Sequence, residues 1–232
     1  THNLHWKSTY QNLHHRELLT TLIKRLSLKQ IQVLQGIRRS GKSSLFRLLI
    51  NHLLKSVNPK SILYVNLDDP YFGELYNDSK NLYTLLELSE SITGEKVQYL
   101  FLDEVQNVIG WEKFVKAIYD NNLIKKVFVT GSNATLLEGE FATLLSGRYI
   151  KDTLFPPTFS EIINSMGAKD TLSLLEQKPK LLSLIDSMME YGSFWEVVEE
   201  GEQKRELILS YYDTILYKDC IANQKVRETK TF

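Results

Sequence analysis

The sequence is poor in cysteine and proline, and its charges cancel. A single cysteine, Cys220, excludes an internal disulfide and any zinc site built from several thiolates. Twenty-eight basic residues offset 28 acidic ones, which excludes a domain that coats nucleic acid through bulk positive charge. No uninterrupted apolar run reaches about 18 residues, the length that spans a bilayer. The N-terminus also lacks the basic-then-apolar pattern of a secretory signal. These absences predict a cytoplasmic protein without a membrane segment. What remains is ordinary globular material, 43% apolar and 24% charged over 232 residues, enough for one large α/β domain or a core with a smaller appended unit.

The chain begins with a helical pattern. Tyr10–Leu28 places Leu18, Leu19, Leu22, Ile23 and Leu26 at helical spacing. His14 and His15 are adjacent, cannot share one helix face as a metal pair would, and predict a solvated surface. From Ile31 strands alternate with helices. The strands are Ile31–Leu34, Ser61–Leu67, Val97–Leu102, Val127–Thr130 and Tyr149–Leu154; the helices are Lys42–Val57, Leu82–Ser91, Trp111–Asn121 and Ala134–Leu145. That alternation predicts an α/β fold with a mostly parallel sheet covered on both faces. Pro156-Pro157 ends it. Beyond lie only helical patterns, Thr158–Ser165, Thr171–Glu176, Lys180–Glu190 and Glu202–Ala222, so a boundary is expected near 156.

Five segments are candidates to carry chemistry. Gly36-Ile37-Arg38-Arg39-Ser40-Gly41-Lys42-Ser43 matches G-x-x-x-x-G-K-[ST] between a predicted strand and a predicted helix. Glycines let the backbone curl so that successive N–H groups face one concavity, and the helix N-terminus that follows adds positive field. Lys42 is the residue to reach the β- and γ-phosphates, Ser43 the hydroxyl to ligate Mg²⁺, and Ser44 continues the backbone cradle. Arg38 and Arg39 are unusual in such a loop and read either as phosphate or base contacts or as solvated cations.

Tyr99-Leu100-Phe101-Leu102-Asp103-Glu104 delivers two carboxylates at the carboxyl end of a strand, the edge where open α/β sheets bind ligands. Asp103 fits the magnesium shell, and Glu104 fits the role of orienting the attacking water. Val127–Asn133 ends in small polar groups, of which Ser132 or Asn133 fits either a helix cap or a contact to the γ-phosphate or lytic water. Arg148 follows Gly147, a suitable helix C-cap, and reads either as a dipole-favoured cation or as an arginine stabilising γ-phosphate charge. Asp68-Asp69-Pro70 reads as a turn or as a polar contact near the nucleotide.

Together these residues resemble a prokaryotic AAA-superfamily ATPase family whose members join an N-terminal ATPase domain to a C-terminal domain of unknown function. The family is related to archaeal and origin-recognition-type ATPases. The resemblance runs from about Leu18 to Asp219. It rests on GIRRSGKSSL, YVNLDDP, YLFLDEVQNVIGWEKFVKAIYD, VFVTGSNATLL, LLSGRY and FPPTFSEI, with weaker echoes in YGSFWEVV and YYDTILYKDC. It implies a P-loop NTPase of AAA type, a three-layer sandwich with parallel sheet order 5-1-4-3-2, occupying residues 1–156. A helical lid would fill 157–232, ahead of a further C-terminal domain. It assigns Walker A roles to Lys42 and Ser43, Walker B roles to Asp103 and Glu104, sensor 1 to Asn133, and an arginine finger to Arg148. Where the family carries Gly-Gly-aromatic-Pro-Glu, this chain has Tyr191-Gly192-Ser193-Phe194-Trp195-Glu196.

The expectation is therefore Mg-dependent ATP binding and hydrolysis driving a conformational switch, with a second copy or a protein partner engaged through Arg148 and the lid. Nucleic acid enters by relationship alone, since charge does not support it. A P-loop small-molecule kinase, or a nucleotide-gated regulatory or DNA-associated module with negligible turnover, are the alternatives. The absence of Asn-Lys-x-Asp speaks against a GTPase.

Overall fold

The computed structural model describes residues 3–131, 143–167 and 177–216. They form two compact units. The first comprises the described residues of Thr1–Leu13, Leu18–Gly36 and Lys42–Leu154; the second comprises those of His14–Glu17, Ile37–Gly41 and Phe155–Phe232.

In the first unit five parallel strands are ordered β2-β3-β4-β1-β5, with β1 Ile31–Gln35, β2 Ile62–Asn66, β3 Tyr99–Asp103, β4 Lys126–Gly131 and β5 Tyr149–Thr153. This is the 5-1-4-3-2 order read in the other direction. Helices α1 (Leu18–Lys24), α2 (Lys42–Leu53), α3 (Asn81–Thr93) and α4 (Trp111–Asp120) supply the outer layers. Because strand side chains alternate, two cores form. Leu34, Tyr64, Phe101 and Phe128 bury against Leu45, Phe46 and Leu49 of α2. Val33, Val65, Leu102 and Val129 bury on the other face with Phe114, Val115 and Ile118 of α4. In α4 the buried residues Trp111, Phe114, Val115 and Ile118 fall at i, i+3, i+4 and i+7, and burying each apolar side chain stabilises by about 1.5–3 kcal/mol. Phe101 and Phe128 stack at 4.4 Å, with Phe46 edge-on to Phe101 at 5.2 Å.

The outer edge of β2 is covered by the N-terminal segment. Asn3 Oδ1 accepts from the Tyr64 N–H (2.8 Å), and the Ile62 carbonyl accepts from Trp6 Nε1 and His5 Nε2, both at 3.0 Å. Burial pushes the His5 pKa down, so the neutral ring donates from Nε2 while Nδ1 accepts from the Tyr10 hydroxyl. An open edge strand would otherwise offer unpaired backbone groups to another chain.

The second unit contains helices α5 (Phe159–Ser165), α6 (Lys178–Tyr191), α7 (Trp195–Glu199) and α8 (Lys204–Ile215). Thr158 and Glu161 form a reciprocal capping box at the start of α5. Arg16 is buried in this unit and donates to Glu161 Oε1 (3.0 Å), the Ser40 carbonyl and the Phe155 carbonyl (both 2.7 Å). Although burial raises the Glu161 pKa, donors from Thr158, Glu17 and Arg16 outweigh it and hold the carboxyl below its ordinary range.

Several boundaries differ from the sequence expectation. The first helix is not Tyr10–Leu28: only Leu18–Lys24 is helical, because Asn12 takes φ +55° and Arg16 is committed to three acceptors from distant segments. His14 is accordingly not on a solvated helix. It stacks on Trp195 at 3.9 Å with 12° between the rings, and its Nε2 lies 2.9 Å from Glu199. The short helix Trp195–Glu199 had no periodic signal over five residues. The expected helix Thr171–Glu176, most of Ala134–Leu145 and the end of Glu202–Ala222 lie outside the described residues. Among the described residues no helix is long and apolar enough to cross a membrane.

Candidate functional site

In the first unit, β1 runs out at Gln35 and α2 begins at Lys42. Residues 99, 101 and 103 of β3 share the face turned to α2, so the strand's last residue, Asp103, meets the start of that helix. The Asp103 side chain is fully buried. It accepts from the Ser43 hydroxyl, from the Tyr64 hydroxyl (2.7 Å) and from the Thr130 hydroxyl. Burial pushes its pKa up, and the three hydroxyl donors only partly offset this. Ser43 and Asp103 together make an all-oxygen pair, the donor type Mg²⁺ takes when it also binds substrate phosphates.

Glu104 follows in a left-handed conformation, φ +55° and ψ +50°, uncommon for a residue with a Cβ and frequent at functional sites. Three contacts fix it. Its N–H donates to Thr130 Oγ1 (2.9 Å), its Oε2 accepts from Gln106 Nε2 (2.7 Å), and its Oε1 lies 3.4 Å from Lys42 Nζ. Lys42 Nζ also donates to the Gly36 carbonyl (2.9 Å), and its side chain is only 4% exposed. Lys42, Ser43, Asp103 and Glu104 are therefore brought together.

Thr130, Tyr64 and Gln106 belong to this cluster and were not singled out from sequence. Strand β4 lies between β1 and β3, which puts its carboxyl end beside the Asp103-Glu104 end of β3. The polar ending of VFVTGSN signals a site, and of its residues Ser132 and Asn133 lie outside the described residues. Asp69 proves to be a turn residue, accepting from the Tyr71 N–H at 3.0 Å ahead of the 3-10 helix Pro70–Leu75.

Ile37–Gly41 belong to the second unit. Gly41 takes φ +93° and Arg39 φ +63°, and a Cβ on Gly41 would stand 3.2 Å from an Arg16 guanidinium nitrogen. Ser40 is buried, with its carbonyl held by Arg16. Arg39 is not simply solvated: it donates to Glu196 Oε2 (3.0 Å) and to the Tyr211 hydroxyl (3.1 Å), and lies 4.0 Å from the centre of the Tyr211 ring. Ile37 and Arg38 are half-buried, and Ser44 lies in the first turn of α2.

Arg148 is not brought to this cluster. Its carbonyl accepts from Ile31 N–H at the start of β1, and Ile31 pairs with Tyr149, so Arg148 sits at the amino edge of the sheet, roughly 13 Å of strand from the loop. Its guanidinium donates to Asp120 Oδ1 (2.8 Å) at the end of α4. The Arg148 and Lys116 donors hold the Asp120 carboxyl down at about 2.

A family profile described as an AAA domain matches residues 28–163. An uncharacterized protein of Methanocaldococcus jannaschii is 32% identical over 205 residues, covering 87% of this chain and 44% of that protein. An uncharacterized protein of Haemophilus influenzae is 34% identical over 204 residues, covering 86% of this chain and 48% of that one. The chain thus spans a little under half the length of these relatives. The structure of Caenorhabditis elegans PCH-2 is similar in fold, with a TM-score of 0.53 and 14% identity, over 91% of this chain and 71% of that one. With its glycine-lysine-serine loop and parallel sheet, the chain belongs to the AAA domain family, a family of nucleotide-binding, ATPase-type domains within the AAA superfamily.

Proposed function

We propose that this chain binds Mg-ATP through Gly36–Ser43 and hydrolyses it as a conformational switch. The observation that carries this reading is the buried contact of Asp103 with Ser43 beside the close approach of Lys42 to Glu104. A magnesium ion bound there would supply positive charge against the charge that develops on the phosphates. The remaining work falls to the chain. Ser43 and Asp103 hold the metal shell. Lys42, now turned to the Gly36 carbonyl, reaches the β- and γ-phosphates, and Gly36, Ile37, Arg38, Arg39, Ser40, Gly41 and Ser44 complete the cradle. Glu104 accepts a hydrogen bond from the attacking water and orients it.

Asn133 is proposed as the polar sensor of the γ-phosphate. The position of Arg148 at the opposite edge of its own sheet favours action on a second copy's nucleotide. Residues 1–156 are proposed as the ATPase domain and 157–232 as a lid, in a cytoplasmic protein with a further C-terminal domain. Mg-dependent phosphate release without an added acceptor separates this reading from a kinase. Glu104→Gln is expected to abolish that release while ATP binding persists. Unchanged release in the variant removes Glu104 from the mechanism.

A further inference from the structure

One cation of the phosphate loop is engaged in a way that phosphate binding does not require. Arg39 is a non-glycine residue at φ +63°, a conformation that disfavours any side chain. Its guanidinium carbon lies over the Tyr211 ring, 4.0 Å from the ring centre, and its Nη1 donates to the Tyr211 hydroxyl and to Glu196. That hydroxyl in turn donates to Glu196. Tyr211 is fixed by burial, 2% exposed, with Phe194 edge-on to its ring at 5.5 Å. Three contacts from two residues thus hold the Arg39 side chain, and the backbone it leaves from alternates left-handed residues, Arg39 and Gly41, within five positions. Such alternation turns successive N–H groups toward one side and makes an anion-binding concavity.

We infer that Glu196 and Tyr211 are positioning residues for the phosphate loop, holding Arg39 left-handed and so pre-forming the backbone concavity, and that the Arg39 side chain serves as their handle rather than as a phosphate ligand. The inference rests on the reading of Gly36–Ser43 as the ATP phosphate site for its consequence, but not for its geometry. Loss of the handle returns residue 39 to the conformations an ordinary side chain prefers. A glycine at 39 adopts the left-handed form without a handle. The arrangement also ties the loop's shape to α7 and α8, so that anything moving those helices alters the affinity for nucleotide, and nucleotide binding stabilises the helices in return.

The test uses the whole chain and two readouts. Glu196 is 58% exposed, so Glu196→Ala is expected to leave the melting temperature within a few degrees of the unaltered chain. In nucleotide-free protein, amide exchange at residues 38–41 is expected to accelerate about tenfold in Glu196→Ala. ATP affinity is expected to fall about tenfold in Glu196→Ala and in Arg39→Ala. Adding Arg39→Gly to Glu196→Ala is expected to recover most of that loss, and Arg39→Gly alone to bind more tightly than Arg39→Ala. Equal weakening in Arg39→Gly and Arg39→Ala, without recovery in the double variant, overturns the proposal and makes the guanidinium itself a ligand. Unchanged exchange in Glu196→Ala overturns it as well. Accelerated exchange in a chain that binds no ATP supports the positioning and overturns the ATP reading instead.

Discussion

The Thr130 hydroxyl links two neighbouring acidic residues by opposite roles: it donates to the Asp103 carboxylate and accepts from the Glu104 N–H. One small side chain on β4 thereby fixes both a buried charge and a left-handed backbone. Thr130→Val keeps the shape and removes both bonds. The urea midpoint is expected to fall by an amount equivalent to about 1–3 kcal/mol, with an unchanged denaturant slope. Thr130→Ser is expected to restore most of it. A valine variant as stable as the unaltered protein would deny the hydroxyl this part.

Arg16 and Glu161 form a buried pair, each side chain 4% exposed. Arg16→Ala strands the carboxylate and is expected to cost about 3–5 kcal/mol. Linkage gives this pair a pH signature. The Glu161 pKa is lowered from 4.5 in the folded protein, so its stabilisation is fully present above that value and is lost as pH falls through the folded pKa. Denaturation followed from pH 7 down to pH 3 should show a shallower acid loss in Glu161→Gln than in the unaltered chain.

Gly41 combines a left-handed φ of +93° with an Arg16 nitrogen 3.2 Å from where a Cβ would stand. Gly41→Ala is expected to destabilise by about 1 kcal/mol or more and to weaken ATP binding severalfold, measured by thermal melts and nucleotide titration. An unchanged affinity would show that the loop tolerates another backbone path.

Arg148 holds Asp120 down at about 2. In Arg148→Ala the Asp120 carboxyl is expected to titrate closer to its ordinary 3.8, readable by carbon-detected NMR. If Arg148 acts on a second copy's nucleotide, the same variant lowers hydrolysis per chain at high protein concentration and leaves ATP affinity as it was. An equal loss at all concentrations would place its effect within one chain.

Legibility from sequence followed the range of the interactions. Lys42 and Ser43 stand in one contiguous motif, and Asp103 ends a five-residue apolar strand, so local pattern suffices for both. Sheet order came from the family resemblance, because nothing in β2 or β4 alone says which strand lies beside β1. Thr130 and Tyr64 were illegible as site residues because their relevance is a matter of register: Asn66 pairs with Asp103, which turns Tyr64 toward the same face. Arg39 was read as a phosphate contact or a solvated cation, since its partners Glu196 and Tyr211 lie 157 and 172 positions away. The helix start at Leu18 was missed for the same reason, as Arg16 is drawn out of helical backbone by acceptors that only the folded chain supplies.

The middle of the Gly36–Ser43 loop is packed with residues that leave the ribosome much later than the loop itself. Arg39 and Tyr211 are 172 positions apart, an interval of roughly 10–35 s at ordinary elongation rates. The five-stranded sheet has all of its residues as soon as Thr153 has emerged, whereas the loop's left-handed turn gains its holding contacts only when α8 arrives. A nascent chain therefore carries every strand of the sheet before it can form the contacts that hold Arg39, and on the proposed reading ATP capture would improve only once Ile215 has emerged.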